Sequence, residues 1–181
     1  MTLSNYLTMK KILSLLVLLV AFVSCEEDVK FNNPAVQGFK DDELWKATEF
    51  SAAKSGNSVI VTATNGFETV VLRIANPVPG TSADKPVAGV PIASEHVLGV
   101  DEVNKATYSL NVEGVTEFYQ TGTGLGNGKI TMGAAGDNNL AATNGAGYIS
   151  GSFYFNAVND LGVIVNFQRS VFYKVPITTV Q

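Results

Sequence analysis

Along most of the chain, apolar residues recur at every second position between turn signals, and no window holds an apolar stripe at helical spacing for three turns. In Ser58 to Thr64, Val59, Val61 and Ala63 alternate with Ile60 and Thr62. Asn65-Gly66 follows, and Val70, Leu72 and Ile74 then alternate with Thr69, Val71 and Arg73. Asn-Gly tolerates positive φ at both centres of a tight turn, so these runs predict a hairpin. Further strands are predicted at Phe39 to Asp41, Leu44 to Phe50, Ala106 to Val112, Lys129 to Met132, Tyr148 to Ala157 and Val163 to Val171. Asn159-Asp160-Leu161-Gly162 joins the last two. Ile149, Phe153 and Phe155 share one face, whereas Tyr148, Ser150, Ser152, Tyr154 and Asn156 share the other, giving a core side and a partly wet side. About eight or nine short antiparallel strands without covering helices must pack sheet on sheet or close up. The expected fold is all-β, an antiparallel β-sandwich or a partly open β-barrel.

Two connections are long. Asn76 to Ser94 contains Pro77, Pro79, Pro86 and Pro91, which do not fit a central strand, and Gly133 to Gly147 is built from Gly, Ala, Asn and Thr. Long loops on a rigid scaffold commonly carry recognition, which makes these two the expected variable surface.

The period breaks at the amino terminus. Met9-Lys10-Lys11 precedes Ile12 to Val23, an apolar run interrupted only by Ser14. Such a run rises about 18 Å as a helix, short of a bilayer core of about 30 Å. It reads as a secretory signal peptide rather than a permanent span, with residues 1 to 8 upstream of a complete signal start. Leu19 to Cys25 resembles a lipobox, although Phe22 stands where Leu is commoner. That resemblance implies cleavage before Cys25, a thioether from its sulfur to diacylglycerol, and a fatty acyl group such as palmitate on its amine. At about 0.8 kcal/mol per buried CH₂, two or three chains make a firm membrane anchor. Glu26-Glu27-Asp28 resembles the acidic export tract of surface lipoproteins in Bacteroidota, which implies display on the outer face of the outer membrane. Residues 29 to 37 lack an apolar period and read as a tether. The expected organisation is a signal-peptide helix at 1–24, the lipidated cysteine and polar tether at 25–37, and a β domain at 38–181.

Composition narrows the function classes. A chain of 181 residues, 46% hydrophobic and 15% charged, suits one ordinary folded domain. The formal net charge is −4, and since Lys10 and Lys11 are the only charges in the first 24 residues, the remainder carries −6 with no basic stripe. That argues against nucleic acid as a partner. With a single cysteine, neither an intramolecular disulfide nor a thiolate zinc cluster is expected.

Phe39-Lys40-Asp41-Asp42-Glu43-Leu44-Trp45, Gly128-Lys129-Ile130-Thr131 and Ile149-Ser150-Gly151-Ser152-Phe153-Tyr154-Phe155, with Gly162 following, resemble a Bacteroidota lipoprotein family of unknown function. The likeness covers Gly38 to Ile177, departs where Arg169-Ser170 stands in place of a family glycine, and implies a β-sandwich-like domain without catalytic residues.

The candidate chemistry is sparse. His96 is the only histidine and has no partner motif beside it, so a structural or exposed histidine is expected rather than a member of a triad. Asp101 and Glu102, and Asp137, Asn138 and Asn139, offer clustered oxygens without calcium-loop spacing, and no metal is expected. Thr121 to Lys129 is glycine-rich, but it breaks the phosphate-loop and dinucleotide patterns and no helix follows. Trp45 reads as a core anchor before it reads as a sugar platform. No cofactor is expected. The favoured function is a non-catalytic surface module that binds a glycan, a protein or another envelope component. A surface glycoside hydrolase or other carboxylate-based hydrolase, and a purely structural lipoprotein, stay open.

Overall fold

The computed structural model describes residues 35–79, 94–133, 137–140 and 146–179. The expected signal helix, the lipidation site and most of both long loops lie outside them. The described chain is all-β, with eleven strands. They are β1 (Val36–Lys40), β2 (Glu43–Lys46), β3 (Glu49–Ser55), β4 (Ser58–Thr64), β5 (Glu68–Ala75), β6 (Ser94–Leu98), β7 (Lys105–Val112), β8 (Val115–Gln120), β9 (Asn127–Met132), β10 (Gly147–Val158) and β11 (Ile164–Thr179).

All eleven belong to one hydrogen-bonded sheet that bends into two layers. One layer runs β2-β1-β11-β10-β9-β6 and the other β3-β4-β5-β7-β8. Two corners join them: Val158 of β10 pairs with Gln120 of β8, and Ile177–Thr179 of β11 pair with Ala52–Lys54 of β3. The result is a sandwich whose pairing closes round as in a flattened barrel, so both expected architectures describe part of it. The β11–β3 pairing is parallel, the exception in an otherwise antiparallel sheet.

The core follows the alternation. Val59, Val61 and Ala63 of β4 and Val70, Leu72 and Ile74 of β5 are buried and face Phe153, Phe155, Phe167 and Phe172 of the other layer in one cluster. Tyr108 of β7 reaches across, its ring centroid 5.6 Å from that of Phe167, and Phe155 stacks on Phe167 at 4.8 Å. Each buried Val, Leu, Ile or Phe among them contributes about 1.5 to 3 kcal/mol.

Several boundaries differ from the expectation. The run expected as one strand from Leu44 to Phe50 breaks at Ala47-Thr48, where the chain crosses between layers: the Ala47 amide donates to Val36 and the Thr48 amide to Thr64. β1 begins at Val36, inside the expected tether. β6 and β8 were not expected, because β8 is exposed at Val115 to Phe118 and shows no contrast between its faces, while β6 carries Glu95 and His96. The final strand passes Val171 and continues through Pro176. Pro176 has no N–H to give, and it sits where the outer edge of β11 changes partner from β1 to β3.

Candidate functional site

A cleft of about 290 Å³ opens between the β1–β2 hairpin and the β4–β5 turn, lined by Lys40, Glu43, Leu44, Trp45, Lys46, Asn65 and Glu68. Its polar centre is Glu68. Alternation puts Glu68 in phase with Val70, Leu72 and Ile74, so the strand aims a carboxylate at the core, where it needs partners. It has three. Lys40 Nζ forms an ion pair with Oε1, Tyr108 OH donates to Oε1 at 2.6 Å, and Asn65 Nδ2 donates to Oε2 at 2.6 Å. Lys40 also donates to Tyr108 OH at 3.2 Å. The cluster links β1 in one layer to β5 and β7 in the other.

The electrostatics assign protonation states. Burial by itself would raise the Glu68 pKa, but the hydrogen bonds from Lys40, Tyr108 and Asn65 and the Lys40 charge outweigh it and hold the carboxyl below its ordinary range. Burial, then the bond and charge of Glu68, push the Tyr108 phenol far above its ordinary range. At neutral pH Glu68 is therefore a carboxylate and Tyr108 an intact phenol, each satisfied within the cluster. Trp45 is buried beneath the cleft, edge-on to Phe167 at 5.7 Å, and its Nε1 finds no hydrogen-bond partner among the described residues. The expected core anchor is thus in place, carrying a donor that costs about 1 to 3 kcal/mol to leave unpaired.

The residues singled out in the sequence do not converge on this cleft. Cys25, Glu26, Glu27 and Asp28 lie outside the described residues. His96 is buried on β6 opposite Ile130, with Ser94 Oγ 3.2 Å from Nε2. Burial drives its pKa below the ordinary value, against an opposing bond to Asn104, so it is a neutral core histidine. Asp101 Oδ1 accepts the Val103 and Asn104 amides at 2.9 and 3.2 Å, and Glu102 pairs with Lys105 at 2.9 Å while accepting the Thr123 amide at 2.8 Å. Asn138 accepts the Ser150 amide at 2.7 Å, and the Asp137 carbonyl accepts Ser150 Oγ at 2.6 Å. These polar groups brace their own loops, and among the described residues no three His, Cys, Asp or Glu side chains gather as a metal site.

In the glycine-rich stretch, Gly122 and Leu125 exchange backbone bonds across a turn and Thr121 braces Ala106 of β7. Gly126 and Gly128 serve close approach: a Cβ on Gly128 would strike the Tyr154 carbonyl and the backbone of Phe155. The Lys40–Glu68–Tyr108 cluster escaped sequence reasoning, although a charge on the apolar phase of β5, like the lysine in phase with Val36 on β1, was a readable signal.

Fold and site together define an all-β sandwich domain with a mutually neutralised polar cleft at its edge. The chain belongs to the DUF6252 family, a domain of unknown function, which matches residues 32–176. No curated protein and no solved structure matches it.

Proposed function

We propose that this protein is a lipid-anchored lipoprotein of a Bacteroidota outer membrane, displayed on the cell surface, whose β domain binds a glycan, a protein or another envelope component without catalysing a reaction. The observation that carries the reading is the junction at Ser24-Cys25: a charged start, a short apolar run and a small residue before the single cysteine converge on one cleavage point. Glu26-Glu27-Asp28 immediately after it supports outward display.

The cleft supports binding over hydrolysis. A glycosidase needs two carboxyls about 5 to 9.5 Å apart, with one free to give a proton or attack. Of the two carboxyls in the lining, Glu68 is ionised and occupied by three donors, which suits it to neither role and leaves Glu43 without a working partner.

The test is phase partition in detergent together with protease treatment of intact cells. Wild-type protein should mature, enter the detergent phase and incorporate labelled fatty acid, and Cys25→Ser should keep its leader and take up no label. Added protease should remove the domain from intact cells, less so when Glu26, Glu27 and Asp28 are changed together to Ala. A Cys25→Ser protein that still matures and enters detergent overturns the anchor, and full protection of the wild type overturns surface display.

A further inference from the structure

Four hairpin turns gather at one end of the sandwich. The β1–β2 turn at Asp41-Asp42 is tied to the start of β11, the Asp41 amide donating to the Asn166 carbonyl at 2.9 Å and the Asn166 amide to Asp41 Oδ1 at 2.9 Å. The β4–β5 turn lies against the end of β7 through the Asn111 amide and the Phe67 carbonyl at 2.8 Å. The β7–β8 turn, with Val112 paired to Val115, is next, and the β10–β11 hairpin comes alongside β8 at Val158 and Gln120. Ala75, Ser94, Gly133 and Gly147, which flank the two long loops, lie toward the opposite end.

Neighbouring turns of this end carry large apolar side chains in water. Phe67 is 71% exposed, Val115 68% and Leu161 87%, with Val112, Phe118 and Val163 exposed beside them. Val112 keeps the phase of Ala106 and Tyr108, and Val115 keeps that of Tyr119, so the core-facing stripe of β7 and β8 runs on past the layer that covers it. A turn needs none of these side chains for its own geometry, and clustered exposure of this kind marks an interaction surface.

The charge around the patch has one sign. Asp41, Asp42, Glu113, Glu117 and Asp160 are exposed, the four turns contain no Lys or Arg, and Lys40, which lies nearest, is committed to Glu68. We infer that this end is a docking surface for a polypeptide that presents apolar anchors flanked by Lys or Arg. This deepens the binding reading above and rests on it, naming the partner's chemistry and where it docks. A second copy would set acid against acid, and an anionic lipid surface would be repelled.

The test pans mature protein in detergent micelles, at about 0.05 M salt, against a random peptide library displayed on phage. Enriched peptides should combine Lys or Arg with Leu, Ile or Phe. Synthetic copies should lose about tenfold in affinity with Phe67→Ser plus Leu161→Ser, and a similar amount with Glu113→Gln plus Asp160→Asn or at about 0.5 M salt. Both variants alter exposed side chains only, and unchanged thermal unfolding confirms their folding. Enrichment of acidic or neutral peptides, no enrichment over empty micelles, or affinity unmoved by either variant overturns the proposal. So does a dimer in light scattering, or preferential sedimentation with phosphatidylglycerol vesicles. If replacing Asn76 to Ser94 by a short turn abolishes peptide binding while the hairpin variants keep it, this surface is wrong and the binding reading stands. If the purified protein hydrolyses a glycan or peptide, the binding reading itself fails.

Discussion

Arg169 sits inside β11 at a φ of 47°, in the left-handed region that costs a residue with a Cβ about 1 to 2 kcal/mol. It marks a bulge, for Phe153 and Phe155 of β10 are two residues apart while their partners Ser170 and Phe167 are three apart. Its side chain is exposed, so packing does not enter the comparison of substitutions. Arg169→Gly is expected to leave stability within about 0.5 kcal/mol or raise it, and Arg169→Val to lower it by more than about 1 kcal/mol, both read by chemical denaturation. Equal midpoints for the two variants would show that the left-handed backbone is not what this position demands. In the sequence this site stands out only through the resemblance in which Arg169-Ser170 replaces a glycine, and the bulge is a backbone that would suit one. Turn chemistry was legible in kind but misplaced. Asn65-Gly66 does make a hairpin, yet only Gly66 has positive φ, and Asn65 acts by accepting the Phe67 and Glu68 amides at its Oδ1. Positive φ at both turn positions occurs instead at Asp41-Asp42 and Glu113-Gly114.

At the scale of elements, strands with one wet and one dry face were legible and those without that contrast were not. β4, β5 and β10 show clear alternation and were found, Phe153 and Phe155 being buried as their phase required. β8 lies where no opposing layer covers it, and β2 and β3 read as one run because a crossing between layers leaves no turn residue behind. Each charge of the Lys40–Glu68 pair was legible on the apolar phase of its strand, but their pairing was not, because the partners are 28 residues apart and belong to different layers. This tie gives the site's own pH prediction. Because the folded-state pKa of Glu68 is lowered, its stabilisation is present above the ordinary carboxylate value and is lost as pH falls through the lower folded value. Glu68→Gln should therefore cost roughly 1 to 3 kcal/mol at pH 7, several degrees in the melting temperature, and the gap from wild type should narrow at about pH 3. A gap independent of pH would mean that Glu68 acts through shape rather than charge.

At the scale of the whole molecule, the two ends of the sandwich differ: one gathers tight hairpins with acids and bare apolar side chains, the other emits the long connections. β1 enters at Val36 beside Phe172 and runs toward the hairpin end, ending at Lys40 beside Phe167. The all-β class and the sandwich were legible because a chain without amphipathic helices has few ways to bury alternating strands. The closing corners were not, since each rests on pairings between strands far apart in sequence. Lipidation of Cys25 is tested directly by mass spectrometry of the amino-terminal peptide from membrane-purified protein. The predicted result is a peptide that begins at Cys25 and carries diacylglycerol on sulfur and an acyl group on the amine. An unmodified Cys25 within a peptide that retains residues upstream of it would contradict the proposed lipid anchor.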